Sequence, residues 1–225
     1  MIFKGGKGRR EILSDNRFIH SKERFARAAE GMVIEDGLKA PLLDGSSIYQ
    51  IGGQPMHRPE ELVFVIKSIV ARYKMQGTMV VLNLYDIAKF FDKEMVEDAV
   101  LTCIKRGADP KAIRLWYKLN EDTKIRVKTG VVLSLYDVGP VIGQGTLGGA
   151  IVSQAVLDEW VMEHFTPGEE GQLKYGQVPL APMMFMEDLL NGSEGLNQAR
   201  LANANIDCMV KQRGLKLNED KSVCM

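Results

Sequence analysis

Three carboxylates in this sequence have neighbours that give them chemistry to do. Asp86 closes the run Met79-Val-Val-Leu-Asn-Leu-Tyr-Asp86, a short apolar, β-branched stretch bounded upstream by Gln76-Gly77. That pattern predicts a buried strand with one acid at its end. Glu187 and Asp188 interrupt a second apolar run, Met183-Met-Phe-Met-Glu-Asp-Leu-Leu190, which ends in the turn signal Asn191-Gly192. This order predicts a β-hairpin with carboxylates at its tip. Alone, a strand-end Asp is as readily an N-cap or loop residue. A buried carboxylate, however, is costly unless it is paired, hydrogen-bonded or metal-bound. Brought side by side on neighbouring strands, the three acids would make a cluster of hard oxygen ligands. Such a cluster suits Mg²⁺, which takes one or two carboxylates and completes its shell with waters and phosphates. Two such ions roughly 3.5–4 Å apart stabilise both the attacking and the leaving oxygens of a phosphoryl transfer.

Tyr85-Asp-Ile-Ala-Lys-Phe-Phe-Asp92 resembles the first palm motif of reverse transcriptases, especially those of non-LTR (LINE-like) retrotransposons. Val141-Ile-Gly-Gln-Gly-Thr-Leu-Gly-Gly149 is similar to their second motif, and Phe185-Met-Glu-Asp188 to their aromatic-x-Asp-Asp box. Gly214-Leu-Lys-Leu-Asn-Glu-Asp-Lys221 is similar to the motif that follows, and Asn16-Arg-Phe-Ile-His-Ser-Lys22 to a fingers segment. The motifs stand in the family's order and span most of the chain.

The resemblance implies an α+β fold: a ferredoxin-like polymerase palm (a split βαβ antiparallel sheet with helices on one face) plus a small fingers subdomain. Residues 1–78 would be fingers-like and 79–225 palm, with the thumb absent. The implied activity is that of an RNA-directed DNA polymerase, a nucleotidyltransferase that adds deoxynucleotides to a primer 3′-hydroxyl. Its partners would be an RNA template, a DNA primer and a dNTP. Two Mg²⁺ ions, with Mn²⁺ as an alternative, would sit on Asp86, Glu187 and Asp188, and Lys221 would act at the leaving pyrophosphate. Lys4, Lys7 and Arg17 would grip the triphosphate, and Phe91 would stand against a ribose 2′-hydroxyl. Gln144 and Gly145 would touch the nucleotide or template. Gln50, Gln54 and Arg58 would meet the template strand. Glu187 departs from the family pattern, which has Asp there. The thumb, and an endonuclease, would belong to the rest of a longer polyprotein. Two other readings stay open: a catalytically silent reverse-transcriptase-like fragment that at most binds RNA, and an RNA-dependent RNA polymerase palm.

Composition is compatible with this. The 225 residues are 45% hydrophobic and 26% charged, ordinary for a globular chain. Net charge is zero, which argues against a uniformly basic nucleic-acid binder. The charge is unevenly spread: residues 1–27 and 103–128 each carry eight Lys/Arg against three acids, whereas 155–195 carry eight acids and one Lys. Basic stripes beside an acidic pocket suit a polymerase, whose backbone tracks need cations; solvated faces are the plainer account of any one stripe. The three cysteines and three histidines lack zinc-type spacing. With no signal peptide and no long apolar run, an intracellular chain, nuclear or cytoplasmic and without a membrane partner, is expected.

Several elements must position the acids. Pro59-Glu-Glu61 starts a helix whose Leu62, Val65, Ile66, Ile69, Val70 and Tyr73 repeat at core-facing spacing. Asp92 starts another that carries Ala99, Cys103 and Ile104 inward, and Pro110 a third with Ile113 and Trp116. Thr123–Val132 alternates Ile125 and Val127 against Lys124, Arg126 and Lys128, a half-buried strand with one basic face. Thr146 precedes a helix through Ala155, Val156 and Trp160, with Gly148-Gly-Ala150 leaving room for a base pair. Residues 36–58 read as a loop. A long helix over Leu196, Ala199, Leu201, Ile206 and Met209 ends at Gly214, and Leu215–Leu217 reads as a closing strand.

Overall fold

The computed structural model describes residues 2–3, 16–17, 24–88, 90–93, 96–121, 124–129, 132–137, 142, 146–168, 170–180, 182–186 and 188–225. At 2–3, 16–17, 92–93, 124–129 and 132–137 the description is of the backbone. In chain order the elements are β1 (Ile2–Phe3), β2 (Asn16–Arg17), α1 (Arg24–Val33), a π-helical turn (Ile34–Leu38), α2 (Lys39–Asp44) and α3 (Pro59–Met75). Then come β3 (Val80–Asp86), α4 (Phe90–Lys93), α5 (Val96–Lys105), α6 (Pro110–Asn120), β4 (Lys124–Thr129), β5 (Val132–Asp137) and α7 (Gly149–His164). The last are β6 (Lys174–Tyr175), β7 (Val178–Pro179), β8 (Met183–Phe185), β9 (Asp188–Glu194), α8 (Gly195–Gln212) and β10 (Val223–Cys224).

The chain forms two compact units that interleave in sequence: residues 1–42 with 91–152, and residues 43–90 with 153–225. In the first unit α1, the π-helical turn and α5 pack against one another or against α6, whose Trp116 is fully buried. Asp109 caps α6 by accepting from the Lys111 amide at 2.9 Å. Gly148 is needed here for packing, because a Cβ on it would lie 2.6 Å from Ile34 Cδ1. The small residue makes room for a neighbouring side chain.

The second unit is built on a four-stranded antiparallel sheet in the order β10-β3-β9-β8. Side chains alternate across it. Val81, Tyr85 and Leu189 are buried on one face, where the Tyr85 hydroxyl donates to Asn203 Oδ1 of α8. Val80, Leu82, Met183 and Leu190 lie on the other, packed with Ile69 and Tyr73 of α3 and with Leu173 and Leu180. Helices therefore cover both faces, not one, because α3 carries its own apolar stripe and must bury it. That second face is covered only toward the start of β3. Further along, Leu84 is 38% exposed, and the strand runs out to its acidic end.

Other expectations shift by similar amounts. Asn191-Gly192 lies inside β9, not in a turn, since Leu82↔Gly192 and Asn83↔Asn191 are ladder pairs. A Cβ at Gly192 would meet Leu173 Cδ1 at 2.4 Å, so this glycine admits a core side chain. The closing strand is Val223–Cys224, and Leu217 forms a single bridge with Ile87. Residues 36–44 of the expected loop region are helical. Ile104 of α5, and Leu196 and Leu201 of α8, are exposed; burial in α8 follows Ala199, Ile206, Met209 and Val210. Among the described residues no helix is long and apolar enough to cross a membrane.

Candidate active site

The two described acids meet across strands. β3 and β9 pair in a register that sets Asp86 directly opposite Asp188, so both side chains leave the same face of the sheet. This is the open end of the face that α3 covers elsewhere. Asp188 is exposed at the rim, but the protein beneath it still strips part of its water. That loss raises its pKa, the Asp86 charge raises it further, and Lys221 pulls the other way. Asp86 is held more firmly. Asn218 Nδ2 donates to its Oδ2 at 2.8 Å, and Lys221 Nζ lies 3.2 Å from its Oδ1. The Asn218 amide donates to the Asp86 carbonyl at 2.8 Å, and the Asp86 amide donates to Ser222 Oγ at 3.4 Å.

The hairpin that presents Asp188 is tight. Phe185 pairs with Asp188, and Met186, just after Phe185, takes φ +59°. Two-residue hairpins favour such left-handed backbone because it matches the strand twist. The loop is braced from behind. Gln154 Nε2 of α7 donates to Met186 Sδ, and a Cβ at Gly52 would lie 2.3 Å from the Met186 amide nitrogen. The segment at residues 49–52 runs beside β8, with Met184 N donating to Tyr49 O at 2.8 Å and Ile51 N to Met184 O at 2.9 Å. Gly52 thus lets one strand-like segment press against the turn that carries an acid.

A parallel comes from solved structures. The structure superposes on telomerase from Candida tropicalis in complex with the TWJ fragment of telomeric RNA with a TM-score of 0.64 at 14% identity, over 88% of this chain and 33% of that one. The apo telomerase of the same organism gives 0.59 at 11% identity, over 90% and 36%. Its form truncated from the C-terminal domain gives 0.59 at 13%, over 91% and 44%. The fold is reverse-transcriptase-like. At these identities the likeness is one of fold, and the chain spans a third to under half of the length of these telomerases. No protein-family model matches the sequence, and no curated protein does.

Among the described residues no three His, Cys, Asp or Glu side chains come together as a metal site. Glu187, the expected third donor, lies outside the described residues, as do Lys4, Lys7, Gln144 and Gly145. Asp86 and Asp188, opposite one another in the ladder, are of the oxygen-donor type that a hard divalent cation takes, and a cation there would relieve the repulsion that raises the Asp188 pKa. The reverse-transcriptase-like fold leaves other expected residues with varied surroundings. Arg17 is on β2, paired with Ile2, and Phe91 is half-buried in α4 and belongs to the first unit. Gln50 is 2% exposed; its Oε1 accepts from the Gly52 amide at 3.2 Å and its Nε2 points to Gln154 O at 3.5 Å. It therefore holds the loop in shape, where a template contact was expected. Gln54 is half-buried, and Arg58 is exposed immediately before α3. Sequence reasoning passed over Asn218 and Ser222, although Asn218 sits in the motif Gly214–Lys221. Its amide could be linked to Asp86 only through the fold.

Proposed function

We propose that this chain is the fingers–palm core of a reverse transcriptase of the non-LTR retrotransposon type, adding deoxynucleotides to a primer 3′-hydroxyl on an RNA template. The observation that carries this reading is the Asp86–Asp188 pair at the open end of the sheet, on a fold shared with telomerase. In this reading Asp86, Asp188 and Glu187 hold Mg²⁺ or Mn²⁺. The metal, when bound, supplies charge stabilisation for the reacting phosphate oxygens. The protein's part is mainly to hold groups in place. Lys221 neutralises charge at the acids or at the leaving pyrophosphate, and Arg17, Lys4 and Lys7 bind the triphosphate. Gln144 and Gly145 contact the nucleotide or template, Phe91 selects deoxyribose, and Gln54 and Arg58 remain the candidates for template contact.

Primer extension on an RNA template with a DNA primer, in Mg²⁺ and separately in Mn²⁺, tests the reading. Deoxynucleotide addition that Asp86→Ala abolishes is the expected result. Binding of primer–template without extension in either metal would favour the silent fragment. Preference for ribonucleotides with no response to Phe91→Ala would favour an RNA polymerase.

A further inference from the structure

Asp86 is gripped at four points by three residues of one short segment, 218–222. Asn218 takes its carbonyl through the main chain and its Oδ2 through the side chain, each at 2.8 Å. Ser222 accepts from its amide at 3.4 Å, and Lys221 Nζ stands 3.2 Å from its Oδ1. The gripping segment is itself a closed turn, with Lys221 N and Ser222 N donating to Asn218 O at 3.2 and 2.9 Å. The grip is also uneven in kind. The Asn218 contacts are short and belong to a half-buried residue anchored by its own backbone. Lys221 is a flexible chain whose side chain is 59% exposed, and such surface ion pairs are weak and readily exchanged. Its ammonium also acts on Asp188, so one protein cation serves both carboxylates.

Resting on the metal-binding reading above, we propose that residues 218–222 form a clamp in which Asn218 keeps Asp86 Oδ2 fixed while Lys221 holds the place of a divalent cation at Oδ1 and gives it up when that cation binds. Asn218 is then a positioning residue: it aims the free oxygen of Asp86 toward Asp188 before any ligand arrives. The displaced Lys221 stays tethered one turn away, near whatever phosphate the cation brings. Mg²⁺ demands near-ideal octahedral geometry and releases water reluctantly, so a carboxylate aimed beforehand by a neutral amide binds it better than a mobile one. A competing ammonium has the opposite effect on affinity. Removing the two residues should therefore move metal affinity in opposite directions, which a merely structural turn would not do.

Calorimetric titration of Mn²⁺ into the full chain, without nucleic acid or nucleotide, provides the test. Wild type, Lys221→Met, Asn218→Ala and Asp86→Asn are compared, with melting temperatures taken for each. Lys221→Met should tighten Mn²⁺ several-fold, Asn218→Ala should weaken it several-fold, and Asp86→Asn should abolish it. Lys221→Met is the deciding variant, since its exposed side chain can be removed without opening the fold. If wild type binds Mn²⁺ and Lys221→Met leaves the affinity unchanged or lowers it, the exchange is wrong and the metal site stands. If neither wild type nor Lys221→Met binds Mn²⁺, the metal site falls and the clamp with it.

Discussion

Asp188 faces a like charge across the strand ladder, and its raised pKa has a definite sign in stability. Partial burial is the largest cause and Asp86 the second. The folded protein therefore holds this proton more tightly than the unfolded chain. Its contribution is favourable below the ordinary aspartate range and is lost as pH rises through the raised folded value. Asp188→Asn should accordingly raise the melting temperature at pH 7.5, an advantage that disappears below about pH 4. Because Asp188 is exposed, screening keeps the gain under about 1 kcal/mol. Equal melting shifts at both pH values would mean that the repulsion is not felt. At Glu187 the extra methylene displaces the carboxylate relative to aspartate, and a misplacement of about 1 Å can cost roughly 100-fold. Glu187→Asp should raise Mg²⁺-dependent primer extension by one to two orders of magnitude on that basis, and by less in Mn²⁺. An unchanged rate in a protein that still binds primer–template would show that glutamate is not what limits the site.

The acids owe their placement to elements whose packing can be perturbed separately. At Gly52 an added methyl would overlap the Met186 amide, and backbone cannot yield there without moving the hairpin. Gly52→Ala should lower stability by about 1–3 kcal/mol and reduce primer extension more than its stability loss explains. Activity that tracks stability alone would show that the hairpin tolerates the push. Ile69 makes the contrasting case. It is 2% exposed in the core cluster with Tyr73, Leu173, Leu180, Met183 and Leu190, which contains neither acid. Ile69→Ala should cost about 2–5 kcal/mol in denaturant unfolding while leaving the Mn²⁺ affinity of the protein that remains folded unaltered. Cys103 is a core residue too: burial pushes its thiol pKa up to about 12, so it should resist thiol reagents while the exposed Cys208 and Cys224 react.

For the molecule taken entire, zero net charge means that any hold on nucleic acid must come from local stripes. Lys124, Arg126 and Lys128 alternate along β4. If they track a phosphate backbone, replacing all three with Gln should flatten the log affinity–log salt slope by about two to three for a duplex. An unchanged slope would make that face a solvated one. Much of the design was legible beforehand. The apolar runs ending in Asp86 and flanking Glu187-Asp188 predicted a strand and a hairpin, because a strand's period and its β-branched residues are local properties. The Pro59 and Pro110 helix starts were equally local. The sequence also marked the segment Gly214–Lys221. What it could not supply was anything decided by what lies opposite. Asn191-Gly192 carries a turn's local preference, yet pairing along the whole of β9 and the room needed by Leu173 place it mid-strand. Gln50 reads as a polar loop residue and is buried, since the backbone of its loop pairs with Met184. The residue types of the acids were therefore fixed by the chain alone. That Asp86 stands opposite Asp188, with Asn218 and Lys221 on its two oxygens, was decided by strand register and chain closure over more than a hundred residues, and such non-local pairing leaves no trace in local preference.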